Sequence, residues 1–145
     1  MKIFSAKMRV PALVLGAALF VAACASTVNI PADLSPAELI QRAQEASDRN
    51  RYKIALQYYQ ALLERNPTNI DLVCTAEYEI GFIHYKQKKY AEAREELNFL
   101  LQRYDTTDSE LLPQQFKRLA VIVLERITEK EKPRVPFALF RKKSA

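Results

Sequence analysis

The chain sets 22 lysines and arginines against 17 acids over 145 residues, about half of them hydrophobic, and carries one histidine, two cysteines and no tryptophan. That size suits one small domain. Two cysteines exclude a disulfide framework, and the residue inventory offers no glycine-rich phosphate cradle, metal-ligand cluster or nucleophile paired with a base, which argues against an enzyme. The positive balance is no argument for nucleic acid. Three basic residues, Lys2, Lys7 and Arg9, lie in a leading segment that reads as removable, which leaves 19 against 17, a net charge of +2 with no basic stripe.

The leading segment is basic up to Arg9, apolar from Val10 to Ala22 apart from Pro11 and Gly16, and then small. This is the pattern of an export signal and is too short for a spanning helix. Its end, Val21-Ala22-Ala23-Cys24, resembles the lipobox of bacterial lipoproteins. The resemblance implies cleavage before Cys24 and acyl chains, palmitate among them, on its sulfur and new amino terminus. Several such chains hold a soluble domain at a membrane essentially permanently, because each buried methylene is worth about 0.8 kcal/mol. An ordinary secretory signal cut after Ala23 or Ala25, or a retained anchor, is the competing reading. Ala25 and Ser26 supply no acid next to the cysteine, which resembles lipoproteins sent to the outer membrane. Residues 1–23 are thus expected to be signal, and 24–34, short and polar with Pro31, an anchor and tether.

A helical domain is expected over 35–132. Ser35-Pro36-Ala37-Glu38 is a capping box with proline at the first helical position, and Leu39, Ile40, Ala43 and Ala46 continue at helical spacing. A second helix is expected over about 51–65 with Ala55, Tyr58, Tyr59 and Leu62, stopped by Asn66-Pro67. A third runs over about 70–87 with Val73, Ile80, Gly81 and Ile83, a fourth over about 90–104 with Ala93, Leu97 and Leu100, and a fifth over about 113–131. No stretch sustains period-two alternation, so the fold class is all-α, with short turns between antiparallel helices.

Displacing the sequence by 38 residues superimposes Ala43 on Gly81, Tyr52 on Tyr90, Ala55 on Ala93, Tyr59 on Leu97 and Leu62-Leu63 on Leu100-Leu101. Self-similarity at a fixed period is a repeat signature. Leu39, Ala43, Ala46, Tyr52, Ala55, Tyr59, Leu62 and Pro67 stand in the order and spacing of the tetratricopeptide repeat, and Ile80, Gly81, His84, Tyr90, Ala93, Leu97 and Leu100 follow in a second copy. The period exceeds the usual 34 residues by four, and Glu77 stands where a tryptophan-like residue is usual. A partial third copy places Phe116, Leu119, Ala120 and Val123 on first-helix positions, as a terminal cap. The resemblance implies about two and a half repeats in a short right-handed solenoid whose first helices line a concave groove. Mapped onto this chain, that groove carries Tyr78, Phe82 and Tyr85, with Ile40, Gln44 and Ser47 from the first repeat and Lys117, Val121 and Leu124 from the last helix. Exposed aromatic side chains suit peptide recognition; the bland alternative is that the cap helix or the tail covers them.

Other chemistry-bearing residues read as structural. His84 falls on a packing position. Cys74 is either semi-buried or, near a helix start, lowered in pKa. Glu92, Glu95 and Glu96 read as a solvated face, as do Lys86, Lys88 and Lys89. The tail, 133–145, holds an apolar run from Val135 to Phe140 before three basic residues, and is either a disordered end or a segment that folds back.

Among exported repeat proteins, the stretches Ala37–Ala43, Tyr58–Pro67 and Tyr85–Ala93 resemble the first two repeats of the BamD-type lipoproteins of the outer-membrane β-barrel assembly machinery, which usually carry more repeats. The resemblance implies a periplasmic scaffold at the outer membrane that binds a β-barrel assembly subunit or unfolded outer-membrane proteins, without cofactor, metal or nucleic acid. The rivals are a generic cell-envelope adaptor for cell-wall or division machinery, and a periplasmic ligand-binding transport accessory.

Overall fold

The structure, a computed structural model, describes residues 28–106 and 109–132. The expected signal, Cys24 and the tail lie outside the described residues. Five α-helices follow in order, α1 (Pro36–Asp48), α2 (Tyr52–Arg65), α3 (Ile70–Lys86), α4 (Tyr90–Gln102) and α5 (Gln114–Glu131), with single 3-10 turns at Arg103–Asp105 and Ser109–Leu111. The described residues contain no strand. α4 ends two residues short of the sequence expectation, where Arg103 tightens the chain into the 3-10 turn. α1 starts as its capping box dictates: the Ser35 hydroxyl accepts from the Glu38 amide at 3.3 Å and the Glu38 carboxylate accepts from the Ser35 amide at 2.9 Å. Those hydrogen bonds hold the Glu38 carboxyl below its ordinary pKa.

The 38-residue period is also written in the backbone. Among the described residues, positive φ at a residue other than glycine occurs at Asn50 (57°) and Lys88 (62°), one period apart. Each closes the end of a first helix in the same way. The amides of Arg51 and Lys89 donate to the carbonyls of Ala46 and His84 at 2.8 and 3.0 Å, and those of Asn50 and Lys88 to Ser47 and Tyr85 at 3.0 and 2.9 Å. This is the left-handed cap that satisfies the orphan carbonyls of a helix end. Asparagine enters that region at little cost; lysine is there because the hairpin around it demands the turn.

α1 packs on α2, α3 on α4, α2 on α3, and α5 on both α3 and α4. Two hydrophobic clusters result. The first gathers Leu39, Ala43, Tyr59, Leu62 and Ile83, and the second gathers Cys74, Tyr78, Leu97, Leu100, Tyr104, Ala120, Val123 and Ile127. Helix α3 feeds both. The segment before α1 is more than a tether: Val28, Ile30 and Leu34 pack against the first cluster. The Val28 amide donates to Gln57 Oε1 at 2.8 Å, while Arg65 donates to the carbonyls of Pro31 at 3.0 Å and Ile30 at 3.3 Å. Val28–Leu34 therefore forms a strap fixed along α2.

Sequence pattern misplaces two residues and leaves a third unexplained. Leu119, expected to pack, is 39% exposed on the flank of α5, where the inward row is Ala120, Val123 and Ile127. Glu96 is half-buried rather than solvated, and burial pushes its carboxyl up. Glu77, at the position usually held by a bulky residue, is buried and receives a forked pair of bonds from Arg103, Nε to Oε2 at 2.8 Å and Nη2 to Oε1 at 2.6 Å. The fork ties α3 to the end of α4, and it explains why a carboxylate is tolerated inside.

Gly81 sets the approach of α3 to α4. A Cβ built there would stand 2.8 Å from both Cγ and Cδ2 of Leu97, a side chain with no exposure of its own. Helix propensity alone favours alanine over glycine by about 1 kcal/mol, whereas overpacking costs about 1–3 kcal/mol. Gly81→Ala is therefore expected to give a net loss of stability in urea unfolding followed by circular dichroism; a gain would mean that Leu97 moves freely and that the approach is not tight. For the buried ion pair, Arg103→Ala is expected to cost about 2 kcal/mol, below the 3–5 kcal/mol typical of fully buried pairs because Arg103 is partly exposed. The double change Glu77→Leu with Arg103→Met is expected to recover most of that loss in the same assay.

Candidate functional site

The first helices of the two hairpins, α1 and α3, enclose a cleft of about 260 Å³ lined by Gln44, Ser47, Asp48, Glu79, Phe82 and Lys86. Helical spacing makes this face: Glu79, Phe82 and Lys86 are three and four residues apart on α3, as Gln44 and Ser47 or Asp48 are on α1. Lys86 reaches across, its Nζ donating to the Ser47 hydroxyl at 3.1 Å while sitting 5.2 Å from the centre of the Phe82 ring. Ser47 is buried, so this bond closes the floor between the helices.

The two carboxylates of the cleft are left over. Among the described residues neither Glu79 nor Asp48 joins a salt bridge. Burial raises the Glu79 pKa, Lys86 pulls it down and Asp48 adds to the rise. Beneath them, the Tyr59 hydroxyl is wholly buried with no hydrogen-bond partner among the described residues. Its pKa is raised by burial first and then by the fields of Glu79 and Asp48. The cleft is an anionic niche beside the Phe82 ring, below the usual volume range of small-molecule pockets and of a size for one side chain at a time.

The residues anticipated for a single groove are divided. Gln44, Ser47 and Phe82 meet in the cleft. Ile40 is half-buried and packs on the first cluster. Tyr78 does not line an open groove: it is 7% exposed, stacked on Phe82 with centroids 5.8 Å apart and covered by Phe116 of α5 at 5.7 Å. Tyr85, half-buried, continues the row between Phe82 at 5.9 Å and Tyr90 at 6.1 Å. The stripe is thus a ladder of rings joining α5, α3 and α4. Lys117 is exposed with its ammonium 5.7 Å from the Tyr104 ring centre. Val121 and Leu124 line a separate hollow on α5 of about 370 Å³ with Glu125, Thr128, Glu129 and Lys132. Cys24 lies outside the described residues.

Sequence reasoning missed Glu79, Asp48 and Lys86, although Glu79 shares the helical face of Phe82. It left Cys74 open; the thiol is buried and pushed up in pKa by that burial, the opposite of activation. His84 is half-buried, with Nδ1 enclosed and unpartnered. Among the described residues no three histidine, cysteine or acidic side chains converge as metal ligands, and no helix is long and apolar enough to cross a membrane.

No family model matches the chain, and no solved structure matches it. An uncharacterised protein of Treponema pallidum (strain Nichols) is 38% identical over 111 residues, which cover 74% of this chain and 44% of that protein. The chain thus spans less than half the length of the curated relative it matches.

The strain at Glu79 has a pH signature. A carboxyl whose folded pKa is raised penalises the fold when ionised, and the penalty is relieved as pH falls from the folded pKa to the unfolded one. Glu79→Gln is expected to be more stable than the parent chain at neutral pH, the two converging below pH 4.5, the ordinary value. Thermal melts across that range check the sign, and equal stability at pH 7 would mean that water solvates Glu79 fully.

Proposed function

We propose that the chain is a lipid-anchored scaffold of the tetratricopeptide class, about two and a half hairpins in a short right-handed solenoid, held through Cys24 at the outer membrane and facing the periplasm. It binds protein partners or extended polypeptide segments in the assembly of outer-membrane β-barrel proteins. The observation that carries the binding role is the cleft between α1 and α3, where two first helices present Gln44, Asp48, Glu79 and Phe82 around a volume suited to single side chains. An extended segment offers side chains one at a time, and an aromatic ring flanked by hydrogen-bonding groups holds each with few rotors to immobilise. Support for the solenoid comes from the repeated cap at Asn50 and Lys88 and the matched small residues Ala43 and Gly81. Partner and location are carried by the lipobox and by the stretches resembling the assembly lipoprotein.

Affinity capture of the lipidated protein from membranes tests this. Recovery of a large integral β-barrel protein is the expected outcome, reduced at least tenfold by Phe82→Ala with Gln44→Ala, since truncating an aromatic anchor typically costs about 2 kcal/mol or more. Retained helicity in that variant separates lost binding from lost folding. Consistent absence of a β-barrel protein, with cell-wall enzymes or a transporter recovered instead, defeats the assembly role.

A further inference from the structure

The strap starts beside a basic hollow. Val28 lines a depression of about 380 Å³ together with Arg42, Glu45, Arg49 and Arg51, Ile54 and Tyr58. All three arginines are exposed, and among the described residues none is in a salt bridge. The one acid of the hollow, Glu45, accepts instead from Gln41 Nε2 at 3.1 Å. Arg42 also feels Glu38, but that carboxylate is held by Ser35. The hollow therefore presents a surplus of two positive charges that nothing in the fold consumes.

Its distance from Cys24 is bounded by the length of chain between them. Val28 is pinned by its bond to Gln57 and by packing on the first cluster, and Cys24 stands four residues upstream. Four residues span at most about 14 Å. An acyl group on Cys24 enters the bilayer at that residue, so the arginines beside Val28 are carried to within one or two screening lengths of the headgroups. Guanidinium groups bind phosphate through paired N–H donors and are weakly hydrated, so they suit this interface better than lysine.

We propose that the face carrying Arg42, Arg49 and Arg51 is a membrane-contact surface that binds the phosphates of anionic lipid headgroups and so fixes the orientation of the domain on the bilayer. This rests on the reading of Cys24 as the lipidated residue. The anchor supplies residence and the arginines supply direction.

The test uses the chain from residue 24 onward with Cys24→Ser, which keeps the strap and both hydrophobic clusters but has no lipid. Its sedimentation with vesicles of 30% phosphatidylglycerol in phosphatidylcholine is compared with pure phosphatidylcholine at about 0.1 M salt. Binding to the anionic vesicles alone is expected. Each arginine near such a surface contributes about fivefold, so Arg42→Gln, Arg49→Gln and Arg51→Gln together should weaken binding on the order of a hundredfold. Arg118→Gln with Lys130→Gln, on α5, should leave it unchanged. Equal partition to both vesicle types, an unaffected triple variant, or an equal loss in the α5 variant overturns the proposal. Displacement by millimolar inorganic phosphate at constant ionic strength also overturns it, by assigning the cluster to a soluble anion. Mass spectrometry of the exported protein reads the acyl mass on Cys24 separately. A protein without that mass but with arginine-dependent vesicle binding loses the anchor and keeps the membrane face.

Discussion

The close approach of α3 to α4 at Gly81 is the constraint on which the second half of the molecule depends. Because no side chain intervenes, Leu97 fills the space over Gly81 and is fully buried, and α4 then brings Ala93 and Leu100 onto the same seam. Burying side chains of that size stabilises the fold by roughly 1.5–3 kcal/mol each, more than any hydrogen bond along the turn contributes. The first hairpin solves the same problem with Ala43 and Tyr59 in one cluster, both without exposure. One design, executed with two pairs of side chains, explains why the connecting turns repeat down to the sign of φ at Asn50 and Lys88.

Much of this was legible in the sequence because it is local or periodic. Capping box, helix limits, turns and the small residues at 43 and 81 all follow from spacing, and the described helices lie within two residues of their expected limits. What spacing cannot convey is which neighbour arrives from elsewhere. Tyr78 occupies the same helical face as Phe82, and pattern alone gives both to the groove; Phe116, a ring from 38 residues away, covers one and leaves the other. Glu77 is the converse case. A buried carboxylate looks like a fault in the repeat until Arg103, at the far end of the next helix, is placed 2.6 Å away. Leu119 errs because the apolar pattern of α5 spans a wider arc than its neighbours cover, and Glu96 errs in the opposite sense, half-buried where the run of acids reads as solvated.

The corrected picture separates two uses of one aromatic row. At its α5 end the row is structural, with Tyr78 sealed between Phe116 and Phe82 in the second cluster. Midway along the row Phe82 also lines the cleft beside α1, with Lys86 over its ring and Glu79 and Asp48, neither in a salt bridge among the described residues, as further lining. Packing of Phe82 between Tyr78 and Tyr85 holds its ring in place, which lowers the ordering cost of anything that binds beside it. The partly desolvated Glu79 and the orphan hydroxyl of Tyr59 are the features a fold optimised only for stability would remove.

Helix α1 separates the cleft from the arginine hollow. Successive residues turn by about 100°, so positions two apart point roughly 200° from each other. Arg42 and Gln44 are therefore on opposite sides, as are Glu45 and Ser47, while Leu39, Ala43 and Ala46 occupy the buried row between. With the strap clamped by Gln57 and Arg65, Val28 lies on the arginine side and not on the cleft side. On the proposal that Cys24 carries the anchor, this arrangement would set the arginine face toward the headgroups and turn the cleft away from the bilayer. A free tether would leave that orientation to chance. The hydrogen bonds along Val28–Pro31 instead hold that stretch against α2, on the side away from the cleft.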